Sequence, residues 1–118
     1  MPKLLIIDDE PEILDMIRSH FSLRGYEVVV APDGALGLGL VEKERPDVIL
    51  LDLKMKERDG DQFLRELRER DRKTKVIVIT GFQDERVRQK VESLGIDGFL
   101  EKPASILEVE RRVSELVK

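Results

Sequence analysis

Five short apolar runs, each followed by a helical pattern, constrain this chain more than any other feature. The runs are Leu4–Ile7, Val28–Val30, Val48–Leu51, Val76–Ile79 and the weaker Gly98–Leu100, spaced at roughly 20–25 residues. They are continuous rather than alternating, and rich in β-branched residues. That reads as strands buried on both faces, as in a parallel sheet. Between them lie helical periodicities. Ile13, Ile17 and Phe21 recur every four residues, with Gly25 as the stop. Ala35–Glu44 reads as a second helix, ended before Pro46 and weakened by Gly37 and Gly39, at about 1 kcal/mol each relative to Ala. Phe63, Leu64 and Leu67 mark a third helix. Val87, Val91 and Leu94 mark a fourth, stopped by Gly95. Ile106, Val109, Val113 and Leu116 mark a fifth. Five strand–helix units in a row predict a doubly wound α/β sandwich, because each parallel crossover must be right-handed.

The 118 residues suit a single domain over 1–118, with 41% hydrophobic residues for its core. A charged fraction of 39% with a net charge of -4 and a pI near 5.2 speaks against direct nucleic-acid binding. The absence of cysteine excludes disulfides and Cys-based zinc sites, and the single His20 cannot form a cluster. His20 reads as an exposed helix residue, and the Arg and Lys residues of 65–75 and 86–90 as solvated helix faces. No apolar stretch approaches the roughly 18 residues of a membrane span, and the start of the chain is too short an apolar run for a signal peptide. A cytoplasmic protein with no membrane contact is the expectation.

The chemistry is written at the carboxyl end of each strand. The first run leads into Asp8-Asp9-Glu10, the third into Asp52, the fourth into Thr80 and the fifth into Lys102-Pro103; the second leads into Ala31-Pro32, with nothing reactive. In open α/β sheets, ligands bind outside the carboxyl ends of the strands, where the strand order reverses. With strand order 2-1-3-4-5 the polar residues converge, and the strand lacking them is the edge. Singly, each has an ordinary role: an Asp after a strand is usually a helix cap, and Lys102 or Thr80 would be surface or turn residues. Jointly they describe a site. Clustered carboxylates repel and need a cation. With only hard oxygen donors, that cation is Mg²⁺, or Mn²⁺, rather than zinc or copper. A hydroxyl and an ammonium suit phosphoryl oxygens, and a carboxylate such as Asp52 can be the nucleophile that accepts a phosphoryl group. Asp59, before Gly60, reads as the cap of the third helix.

These residues resemble those of a known family. Leu5 to Pro11 (Leu-Ile-Ile-Asp-Asp-Glu-Pro), Val48 to Met55, Asp59-Gly60, Val78 to Gly81 and Gly98 to Pro103 resemble the receiver domains of bacterial two-component response regulators, over essentially the whole chain. The resemblance implies a flavodoxin-like (βα)5 fold and a signalling switch rather than an enzyme with an external substrate. It implies that Asp52 is the phosphoacceptor, loaded from a sensor histidine kinase or phosphotransfer protein. Asp9 matches the direct Mg²⁺ ligand, with Asp8 beside it, and the backbone carbonyl of Lys54 matches a further ligand. Thr80 matches the switch hydroxyl, Lys102 the lysine that pairs with the phosphoryl group, and Phe99 the aromatic switch, although Phe99 also reads as a core residue. The readout surface would be the fourth helix, fifth strand and fifth helix, a face that could also form a homodimer and act on an output domain or partner. Two departures stand out: the family's usual Pro and second Met after the acceptor are Lys56 and Arg58, and Ala104 follows Lys102-Pro103 where many DNA-binding members have Phe.

Two rival functions share part of this pattern. A haloacid-dehalogenase-type phosphatase also uses a strand-end Asp, a Thr, a Lys and Mg²⁺, but its second Asp would stand where Glu10 is. A non-phosphorylated pseudo-receiver would be expected to lack the acceptor or the lysine. Two further expectations concern detail. The Lys102–Pro103 bond is expected to be cis, since X-Pro bonds carry a small cis penalty. Lys54 and Phe82 are expected to rim the site mouth and, lacking a carboxylate or amide, to lengthen the lifetime of an aspartyl-phosphate.

Overall fold

The computed structural model describes residues 1–55, 60–81 and 84–118. The elements alternate as β1 (Lys3–Ile7), α1 (Pro11–Leu23), β2 (Glu27–Ala31), α2 (Gly34–Glu44), β3 (Val48–Leu51), α3 (Gly60–Arg70), β4 (Lys75–Thr80), α4 (Glu85–Leu94), β5 (Gly98–Glu101) and α5 (Ile106–Leu116). The five strands form one parallel sheet in the order β2-β1-β3-β4-β5. The expected sandwich and strand order are therefore those observed.

Side chains of successive strand residues point to opposite faces, so the continuous apolar runs feed two cores. Leu5, Ile7, Ile49, Leu51, Val76 and Val78 face α2, α3 and α4, where Phe63, Leu64 and Leu67 close over them. Leu4, Ile6, Val48, Leu50, Ile77 and Ile79 face α1 and α5, meeting Ile17, Phe21, Val109 and Val113. β1, β3 and β4 are almost wholly buried, which is why their sequences carry no polar alternation. β2, at the edge, is only half-buried.

The helix ends follow from local chemistry. Asp33, Asp84 and Ser105 cap α2, α4 and α5 by accepting from the amides of Leu36, Arg86 and Glu108. Gly25 and Gly95, beyond α1 and α4, have φ of 88° and 105°, a region that glycine enters without steric cost. Gly37 is better explained by packing than by helix weakness: a Cβ there would lie 2.6 Å from Ile7 Cδ1, so the glycine lets α2 lie close against β1.

Two surface expectations are corrected. Arg68 is not on a solvated face. It is 6% exposed, its Nε donates to Gly95 O at 3.0 Å, and an Nη donates to Asp71 O at 3.1 Å. Burial lowers its pKa, which Asp97 and Asp71 partly counter. His20 is half-buried rather than exposed, and its Nε2 meets Glu110 Oε1 on α5, tying the two helices of one layer. Each ring or stem spans a gap between elements, which helical periodicity alone does not reveal.

Candidate functional site

The site lies at the carboxyl ends of the strands, and the sheet itself places it. Beyond the regular strands, the Asp8 amide donates to Ala31 O (3.1 Å), the Asp52 amide to Ile7 O (3.0 Å) and the Lys102 amide to Thr80 O (2.9 Å). Each key backbone position is thus an extra rung of the sheet. The carboxylates are then aimed by tight local turns. Asp8 Oδ1 accepts from the Glu10 amide at 3.0 Å and Asp52 Oδ1 from the Lys54 amide at 3.2 Å, the two-residue pattern that Asp favours. With one oxygen fixed, the other is directed inward. Asp8 Oδ2, Asp52 Oδ2 and Glu10 Oε1 stand 3.1, 3.3 and 3.0 Å from the Lys102 ammonium.

Asp8 and Asp52 are 4% and 5% exposed, while Glu10 forms the open side. Burial pushes the Asp8 carboxyl above its ordinary pKa, against the pull of the Glu10 amide and of Lys102. Burial also disfavours the charge on Lys102, but Glu10, Asp8 and Asp52 outweigh it and hold the ammonium above its ordinary pKa. Among the described residues, the hydrogen bonds that converge here bring one ammonium to three carboxylates.

The carboxylate oxygens of Asp8, Glu10 and Asp52 lie within 4.8 Å of one another, a spacing that could hold a metal ion. All are hard donors, with no His or Cys among them, so the donor set fits Mg²⁺ or Mn²⁺. This converging set includes Glu10, which the expected ligands Asp8, Asp9 and Asp52 did not. Glu10 reaches the cluster through its Oε1, 3.0 Å from the Lys102 ammonium. Its place in the Asp8-Asp9-Glu10 run was the available signal.

Thr80 closes β4, fully buried, in register with Glu101. Phe99 lies opposite Val78 on β5, half-buried against the α2–α3–α4 side of the core. Thr80 is two residues beyond Val78, so Thr80 and Phe99 lie on the same face as diagonal neighbours. Lys54 has an exposed side chain and a backbone amide tied to the Asp52 carboxylate. The Lys102–Pro103 peptide is cis. Asp59 and Phe82, and the departures Lys56 and Arg58, lie outside the described residues.

Gly60 is a site-supporting residue whose role the sequence alone did not reveal. A Cβ on it would lie 2.3 Å from Asp52 O and 2.8 Å from Leu53 Cα, and its amide donates to Leu53 O at 2.8 Å. The start of α3 is therefore pressed against the backbone that carries Asp52. Its place in the Asp59-Gly60 pair was the available signal, without the contact that explains it.

Comparisons with known proteins agree with this fold. The family model for the response regulator receiver domain matches residues 4–114. A probable transcriptional regulator, ycf27, of Guillardia theta is 36% identical over 116 residues, covering 98% of this chain and 45% of that protein. The receiver domain of the Francisella response regulator 1452 is 34% identical, with a TM-score of 0.90 over 98% of this chain and 96% of that one. A CheY-like response regulator receiver domain protein from Methanospirillum hungatei JF-1 superposes with a TM-score of 0.94 at 26% identity, over 98% of this chain and 92% of that one. The chain spans about half the length of the first curated relatives it matches, 45–48% of each. Among the described residues, no helix is long and apolar enough to cross a membrane. With five parallel strands in the order 2-1-3-4-5 and a family model that matches residues 4–114, the chain belongs to the response regulator receiver domain family.

Proposed function

We propose that this chain is a phosphorylation-driven switch in which Asp52 accepts a phosphoryl group. The observation that carries the reading is the aim of Asp52. Its Oδ1 is fixed on the Lys54 amide, while its Oδ2 is directed into a cluster containing one ammonium and two further carboxylates. A buried carboxylate with one oxygen fixed and the other presented is a positioned nucleophile.

The donor is a phosphohistidine on a sensor histidine kinase or phosphotransfer protein. An Asp52 oxygen bonds to phosphorus as the P–N bond breaks, and the imidazole leaves, taking a proton. Lys102 pairs with one phosphoryl oxygen, and the buried Thr80 hydroxyl donates to another. A Mg²⁺ ion held by Asp8 and Asp52, with Glu10, Asp9 and the Lys54 carbonyl as further candidate ligands, supplies charge neutralisation for the remaining oxygens. Three carboxylates gathered within 4.8 Å of one another support a role for such a cation. Drawing Thr80 inward frees space on the sheet face it shares with Phe99, and movement of that ring changes the α4–β5–α5 face. That face then binds an output domain, a partner or a second copy. The chain makes no nucleic-acid contact of its own in this scheme, and its only chemistry is its own phosphorylation and dephosphorylation.

A phosphate-affinity gel after treatment with acetyl phosphate tests the reading. A shifted band is expected with Mg²⁺ or Mn²⁺ and none in excess EDTA. Labelling that persists in EDTA would overturn the metal-dependent mechanism.

A further inference from the structure

The guanidinium carbon of Arg88, on α4, lies 4.5 Å from the centre of the Phe99 ring on β5. Within about 6 Å a cation over an aromatic face is attracted by the ring quadrupole. Arg88 Nε also lies 3.7 Å from Glu92 Oε2, one helical turn on. Glu92 thus anchors the guanidinium while the ring receives it. Phe99 is otherwise only half-buried, packed against the core side that α4 closes, so the guanidinium lies over a ring that the core leaves partly open. The contact joins α4 to β5, the two elements that the proposed readout would have to shift against each other.

We infer that Arg88 is a positioning residue that holds Phe99 in its resting place and so sets the threshold of the switch. This rests on the reading of Asp52 as phosphoacceptor and Phe99 as the moving ring. Phe99 and Thr80 are diagonal neighbours on one sheet face. A ring that turns toward the space left by Thr80 leaves the guanidinium behind. The cation–π attraction therefore acts on the resting state alone, and an interaction made in only one of two states shifts their balance by its own free energy. The contact is partly solvated, so its effect is modest: about two- to fivefold in the population ratio. Removing it should make activation easier, which is the opposite sign from ordinary damage to a binding site.

The test is a double-mutant cycle read by Mg²⁺-dependent binding of beryllofluoride, a phosphoryl mimic, in the chain as it stands. Arg88→Gln should bind beryllofluoride about two- to fivefold more tightly than the parent, and Arg88→Lys, which keeps a cation, should fall between them. In a Phe99→Leu background the Arg88→Gln change should have no effect on affinity, because no ring remains for the cation to hold. A Phe99 ring NMR signal that moves toward its beryllofluoride-bound position in unligated Arg88→Gln would support the same conclusion without any ligand. Unchanged or weaker binding by Arg88→Gln, or an equal change in both backgrounds, would overturn the role of Arg88 while leaving the acceptor reading intact. Failure of the parent to bind beryllofluoride at all would overturn the acceptor reading, and this inference with it.

Discussion

The two ends of the sheet use the same side chain for different work. At the amino end, Asp47 accepts from the Lys3 amide at 2.7 Å and Asp97 from the Val76 amide at 2.9 Å. Asp71 accepts from the amides of Lys73 and Thr74 and from the Thr74 hydroxyl. At the carboxyl end, Asp8 and Asp52 each give one oxygen to an amide and turn the other toward Lys102. An Asp beside a strand is thus an ordinary cap until its second oxygen faces other carboxylates. Among the described residues, the distinguishing feature of the site is three carboxylates gathered on the Lys102 ammonium, and each end can be perturbed to test that distinction.

The largest effect is expected at the packing that supports the acceptor. Gly60→Ala would drive a Cβ to 2.3 Å from Asp52 O, against backbone that has no rotamer by which to yield. It should cost near the top of the roughly 1–3 kcal/mol typical of overpacking, and slow Asp52 labelling by acetyl phosphate, as read by denaturant melts and a phosphate-affinity gel. Next comes Lys102→Met, which leaves three carboxylates without their ammonium. Partial solvation screens the loss, so destabilisation of about 1–2 kcal/mol is expected in EDTA. The ammonium also competes with a metal for the same oxygens. Mg²⁺ should therefore raise the melting temperature of Lys102→Met more than that of the parent; an equal rise would show that the lysine and the metal do not share those oxygens.

At the opposite end, Asp71→Asn should cost about 1 kcal/mol and leave the Mg²⁺ response unchanged. Its pH dependence has a definite sign. Burial works against the Asp71 charge, but the Thr74 hydroxyl and the Thr74 and Lys73 amides outweigh it and hold the carboxyl below its ordinary pKa. A depressed native pKa gives stability that is complete above the unfolded value of about 3.9 and is lost as pH falls through the native one. The stability gap between parent and Asp71→Asn should therefore be constant from neutral pH down to about 4 and shrink below it. The smallest effect concerns lifetime. Lys54→Asn puts an amide at an exposed position two residues from the acceptor, where it can orient an attacking water. Decay of pre-labelled protein, freed of donor, should speed up by a few-fold, and an unchanged rate would place control elsewhere.

What the sequence made legible was whatever repeats or recurs. Fully buried strands are continuous apolar runs, so β1, β3 and β4 were visible as such, and the polar residues after them marked the working end of the sheet. Asp8, Asp52, Thr80 and Lys102 were legible because each stands at or just beyond a strand end. What depended on two elements meeting was not visible. The His20–Glu110 pair joins residues 90 positions apart, and Arg68 is buried because carbonyls in the turns after α3 and α4 accept its guanidinium. Gly37 reads as a helix-weakening residue, and Gly60 only as half of the Asp59-Gly60 pair, until the side chain or backbone each admits is known. Glu10 was legible only as the third member of the Asp8-Asp9-Glu10 run, without the contact to Lys102 that brings it into the cluster.

The central claim is that Asp52, alone among these carboxylates, takes the phosphoryl group. Borohydride reduces an aspartyl-phosphate to homoserine, so labelling with acetyl phosphate and Mg²⁺, then reduction and peptide sequencing, reads the acceptor directly. The account predicts homoserine at position 52 and none at 8 or 9, no 2-amino-5-hydroxyvaleric acid (the product from a glutamyl-phosphate) at position 10, and no conversion in Asp52→Asn. Homoserine at position 8 or 9, or undiminished labelling of Asp52→Asn, would contradict it.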